Sequence, residues 1–78
     1  MQKTFKIGES AIGGIIKVNK LNKGAFKVEC LDYYTKEIVQ WSYVYSIEHL
    51  LDYLEQVSTY YYADKITNHF KNETLQDI

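Results

Sequence analysis

The residues whose types could do chemistry are few, and their spacing argues against it. Cys30 is the only cysteine, and His49 and His69 are the only histidines. A thiol beside an imidazole could form a nucleophilic pair. However, the alternation Phe26, Val28, Cys30 turns Cys30 toward a core, and His49 falls in the first turn of a helix. With one thiol and two imidazoles, the chain lacks the usual four-ligand zinc set, and no disulfide can form within it. Glu48, Asp52 and Glu55 lie at i, i+4 and i+7 on one helical face. They could attract a cation, but three exposed acids in such a row are ordinarily a solvated face. The glycine-bearing run over 8–14 (GESAIGG) is not followed by Lys and Ser or Thr, so it is no phosphate loop. His69 suits the negative end of a helix. The expectation is therefore a protein with no catalytic residues, no metal and no cofactor.

The elements that must position these residues follow from periodicity. Lys3–Ile7 alternates polar and apolar residues with period two, the mark of a half-buried strand. Residues 8–14 hold three of the four glycines and read as a turn or bulge. A second strand runs Ile15–Lys20, and Asn22-Lys23-Gly24 makes a hairpin loop. A third strand covers Ala25–Asp32, Tyr34-Thr35-Lys36 turns the chain, and Glu37–Tyr45 is the fourth strand. Short connections between successive strands predict an antiparallel meander. The core face is expected to carry Phe5, Ile7, Ile16, Val18, Phe26, Val28, Cys30, Val39, Trp41 and Tyr43. The solvated face is expected to carry Lys6, Lys17, Lys27, Glu29, Gln40 and Ser42.

Ser46 is a good helix N-cap, with Glu48 placed favourably in the first turn. Ile47, Leu50, Leu51, Leu54, Val57 and Tyr61 then form one apolar stripe at helical spacing. After Tyr61 the stripe fails, and Ile66 and Phe70 rotate onto the acidic side. Either the helix breaks within 58–63 and folds Ile66 and Phe70 back, or it continues and displays them. The absence of Pro and Gly from 46–78 favours one long helix with at most a kink. The fold class is thus α+β: a four-stranded meander followed by a C-terminal amphipathic helix on one face. Residues 1–71 are expected to form a single α+β domain, and 72–78 a frayed polar tail.

Seventy-eight residues support one small core, and domains of this size often rely on a partner subunit. All nine basic residues are lysines, proline is absent, and eight tyrosines accompany three phenylalanines and one tryptophan. Such a bias fits an AT-rich genome, including those of phages and mobile elements. No stretch is long and apolar enough to span a membrane, and the start lacks the apolar segment of a signal peptide, so a cytoplasmic protein is expected. The net charge of −1 hides an asymmetry: residues 1–28 carry six lysines against one acid, and residues 29–78 carry nine acids against three lysines.

That asymmetry offers two surfaces. Acids Glu48, Asp52 and Glu55, interleaved with Tyr53, Tyr60 and Tyr62, suit a protein partner with a basic groove of the kind that normally holds nucleic acid, such as that of a nucleic-acid enzyme. In size, composition and acidic strip, the chain resembles the small phage and mobile-element inhibitors such as anti-CRISPR proteins. The resemblance implies a non-enzymatic, protein-binding regulator or inhibitor. An overhanging helix end bearing Tyr60, Tyr62, Ile66 and Phe70 would pair two copies into a homodimer. As the alternative, four strands followed by a helix resembles the element order of the PUR-type single-strand binders, which implies nucleic-acid contacts by Lys6, Lys17 and Lys27. Against that alternative stand the lack of arginine and of an outward aromatic platform. Only a reversed register, with Trp41 and Tyr43 facing out, would supply the platform.

Overall fold

A computed structural model describes residues 2–76, with side chains described for 2–72. Four strands form one antiparallel sheet in the order β1-β2-β3-β4: Gln2–Lys6, Gly14–Lys20, Phe26–Asp32 and Ile38–Val44. Two helices follow, α1 (Ile47–Val57) and α2 (Tyr60–Gln76), and the fold is α+β. Among the described residues, no helix is long and apolar enough to cross a membrane. The polar tail expected over 72–78 overlaps the end of α2 and otherwise lies outside the described residues.

The core lies between one sheet face and the helices. Ile16 and Val18 of β2 and Phe26, Val28 and Cys30 of β3 are fully buried there, with Leu50, Leu54 and Val57 of α1. Phe5 and Ile7 pack at its margin. Alternation therefore read β1 to β3 correctly. Lys6, Lys17, Lys27 and Glu29 fall in the opposite phase, as expected.

The fourth strand corrects the reading. Phe26 pairs with Val44, Val28 with Ser42 and Cys30 with Gln40, so Gln40, Ser42 and Val44 take the core side. Trp41 and Tyr43 face outward instead, and Val39 is exposed as well. A one-residue change of register moves a strand's whole set of side chains to the other face. The register here is set by the connecting turn. The Asp32 carboxylate accepts the N–H groups of Tyr34 and Thr35, each at 2.9 Å, and the Asp32 N–H donates to the Glu37 carbonyl at 2.8 Å. Lys36 takes a positive φ of 66°, and a shift in pairing between Cys30 and Leu31 absorbs one extra β4 residue as a bulge. Buried Val44 then completes the core beside Phe26. Gln40, on the core side of the edge strand, finds a partner by donating to the Tyr53 hydroxyl at 3.1 Å.

The helix is also broken rather than continuous. Ser46 caps α1 as expected, its Oγ accepting the His49 N–H at 3.0 Å. At the other end, Ser58 leaves helical geometry (φ −147°, ψ −143°), and both its N–H and its hydroxyl bond the Leu54 carbonyl. Thr59 then starts α2, its Oγ1 accepting the Tyr62 N–H. The Val57 carbonyl, orphaned by the break, accepts the Ile12 N–H at 2.8 Å. After the break a new stripe of Ala63, Ile66, Thr67 and Phe70 is buried against the same core. Ile66 and Phe70 are thus interior residues and offer nothing to a second copy. Tyr61, expected in the stripe of α1, is exposed.

Candidate interaction surface

The reversed register of β4 produces the most distinctive surface on the molecule. Across the outer sheet face the pairings form three rows. Gln2, Asn19, Lys27 and Tyr43 make the first, and Thr4, Lys17, Glu29 and Trp41 the second. Lys6, Ile15, Leu31 and Ile38 make the third. At the β4 edge of these rows stand Ile38, Val39, Trp41 and Tyr43, which are 51, 52, 52 and 42 % exposed. Trp41 and Tyr43 meet edge-to-face with centroids 5.4 Å apart, so each ring holds the other in place. The Lys27 Nζ lies 5.3 Å from the Trp41 ring centre and 5.9 Å from that of Tyr43. Its charge thus rests on the aromatic ridge. Lys17 is partly neutralised by Glu29, at 3.9 Å.

Half-open rings of this size leave a ridge of a few hundred Å² of mainly apolar surface, the scale of the largest patch on a typical monomer and one that is often functional. Ile38–Val44 also contains no charged residue and no proline. Such an edge strand presents unpaired backbone groups and lacks the usual protection of an exposed edge.

The acidic residues chosen from sequence lie elsewhere, on the helix layer. Glu48 and Asp52 are exposed on α1. Glu55 is partly covered and joins Asp64, Leu51, Tyr60, Tyr61 and Lys65 around a shallow groove between the helices. Lys65 sits 5.0 Å from the Tyr61 ring centre, which places a cation inside the acidic strip. Tyr60 is exposed and Tyr62 half-buried. Tyr53 differs from the expectation of a free contact residue. Its hydroxyl is taken by Gln40, and burial raises its pKa above the ordinary tyrosine value.

The residues considered for chemistry each have a place of their own in the fold. Cys30 is in the core, and burial pushes its thiol from an ordinary 9.0 to about 11, which leaves it protonated and inert at neutral pH. The His49 Nδ1 accepts the Tyr45 N–H at 3.3 Å. His69 packs edge-on against Phe5 and Phe70. Among the described residues, no three His, Cys, Asp or Glu side chains group as metal ligands would. Comparison with known proteins finds no family model, no curated protein and no solved structure that matches this chain.

Sequence reasoning missed the ridge because it assigned Val39, Trp41 and Tyr43 to the core by a majority of apolar residues in that phase. The signal that could have corrected it is Val44. It is the one aliphatic residue in the other phase of the strand's second half, opposite Phe26.

Proposed function

We propose that the protein is a non-catalytic protein-binding module of the regulator or inhibitor kind, and that it meets its partner through the outer-face ridge Ile38, Val39, Trp41 and Tyr43. The observation that carries this reading is the outward phase of an uncharged strand whose large side chains stand about half open. Tryptophan and tyrosine dominate binding energy at protein interfaces, because they supply large rigid area at small entropic cost. The acidic strip on α1 lies on the other layer and serves as the solvated or secondary surface. Affinity capture from a low-GC bacterial lysate, run in parallel on wild type, Trp41→Ala/Tyr43→Ser, and Glu48→Lys/Asp52→Lys/Glu55→Lys, tests this. A specific partner should be lost with the ridge variant and kept with the acid-strip variant. The reverse pattern would return the contact to the helix layer and its basic-groove partner.

A second reading is favoured by one specific arrangement. Trp41 and Tyr43 share their face with Lys17 and Lys27, and Lys6 lies on the same side. Aromatic rings beside lysines are the ingredients of a single-strand nucleic-acid platform. The face is only weakly basic, because Glu29 occupies its centre and pairs with Lys17. That balance ranks protein contact first.

A further inference from the structure

We infer that the free edge of β4 pairs with β4 of a second copy of this chain, about a twofold axis at Ser42, to make one continuous eight-stranded sheet. The edge adjoins the solvent-facing ridge: pairing joins the Trp41 and Tyr43 rings side by side across the seam and leaves their outward faces open to a further partner. β4 terminates the sheet, and among the described residues no loop or helix backbone bonds to Ile38–Val44 from outside the sheet. The two edges of the sheet are unlike. β1 carries Lys3 and Lys6 within five residues, a common safeguard against edge pairing. β4 carries no charge at all, so an antiparallel copy brings no like charges into opposition. A β1-to-β4 contact would be head-to-tail and would propagate into filaments. The lysines of β1 oppose that, and they equally oppose a β1-to-β1 pairing, which leaves β4 to β4 as the closed contact with no like charges across it.

The register follows from the bulge. β4 pairs regularly with β3 from Gln40 to Val44, and the irregularity comes just before, between Cys30 and Leu31 on the facing strand. The regular segment is centred on Ser42. A twofold axis perpendicular to the sheet at that point keeps the outer face outermost in both copies. It sets Ser42 opposite Ser42 of the partner subunit, and Trp41 opposite Tyr43 of the partner subunit. Two Trp41–Tyr43 pairs then join across the axis into a cluster of four rings, with Lys27 from each copy at its rim. Aromatic pairs directly opposite one another are among the favourable cross-strand combinations. The whole-chain charge of −1 adds little repulsion between copies. A strand edge with its flanking rings is smaller than the ~800 Å² per partner of a standard interface, so the dimer should be weak and its population should depend on concentration.

Sedimentation over a concentration series, combined with two substitutions at Ser42, tests the pairing. Wild type should pass from monomer to dimer as concentration rises. Ser42→Lys places two like charges opposite each other at the axis, and should stay monomeric with an unchanged far-UV spectrum. Ser42→Cys should form a disulfide-linked dimer, with oxidised glutathione accepting the two electrons released by the two thiols. Wild type should form no covalent dimer, because Cys30 is buried. A wild type that remains monomeric up to millimolar concentration would overturn the inference. So would a dimeric wild type whose folded Ser42→Cys variant does not cross-link. If Ser42→Lys fails to fold, the wild-type series and the cross-link still decide. Partner capture by the Trp41 and Tyr43 variants is read separately, so loss of the dimer and loss of the protein-binding reading are told apart.

Discussion

Phe26 of β3 and Phe70 of α2 meet edge-to-face, with ring centroids 5.4 Å apart and planes inclined at 74°. This contact ties the last described turns of the chain to the middle of the sheet, and it exists only because the helix breaks and α2 folds back. Both rings are fully buried. Phe70→Ala should therefore cost about 3–5 kcal/mol, the usual range for deleting a buried ring. That is a large share of the ~5–15 kcal/mol total of a natural domain. Urea unfolding followed by circular dichroism checks it, and a loss below about 1 kcal/mol would show that α2 does not share the core.

How much of this was legible in the sequence depended on whether one local signal was dominant. β1 to β3 offered clean alternation, and Ser46 offered an N-cap before an apolar stripe; both were read correctly. β4 was ambiguous, because Val39, Trp41 and Tyr43 in one phase outweigh Ile38 and Val44 in the other, while the register is decided by the Asp32 turn and the bulge. The helix break was hidden for a different reason. Breaks are sought at Pro and Gly, whereas here the Ser58 and Thr59 side chains cap the end of one helix and the start of the next, helped by the Ile12 N–H on the Val57 carbonyl. The shift of the stripe from Val57 to Ala63, Ile66 and Phe70 was visible, and it was the mark of two helices.

The capping account makes its own prediction. Thr59 accepts the Tyr62 N–H, so Thr59→Ala should lower stability by about 1 kcal/mol, while Thr59→Ser should retain most of it. Paired urea melts of the two variants measure the difference. Equal melts would mean that packing of Ile66 and Phe70, and not the cap, fixes where α2 begins.

Stability should fall at alkaline pH through Cys30. Its thiol ionises near 9.0 when unfolded and near 11 in the folded protein. Between these values the native state keeps a proton that the unfolded state has released, so rising pH favours unfolding. Lysines and tyrosines titrate nearby, and the effect is isolated by comparison with Cys30→Ala. The variant loses a constant packing contribution, and its deficit relative to wild type should narrow as pH climbs from 9.0 toward 11. A deficit that stays constant over this range would show that the thiol is not desolvated as its burial requires.

Trp41 is the only tryptophan and stands half open on the ridge, so intrinsic fluorescence reports directly on the proposed contact surface. In dilute monomer its emission should be red-shifted and readily quenched by acrylamide. Titration with oligo-dT separates the two functional readings. Protein contact through the ridge predicts little change at moderate salt, because Glu29 offsets Lys17 and leaves few free cations on the face. Base stacking would quench Trp41, and the affinity would fall with salt at a slope of about −0.7 per phosphate neutralised. Substituting Lys17 and Lys27 by Gln should then flatten that slope. Strong, salt-sensitive quenching that disappears in the double lysine variant would make the lysine-bearing face a nucleic-acid platform. Unchanged emission, together with partner capture that depends on Trp41 and Tyr43, would leave protein binding as the function of the ridge.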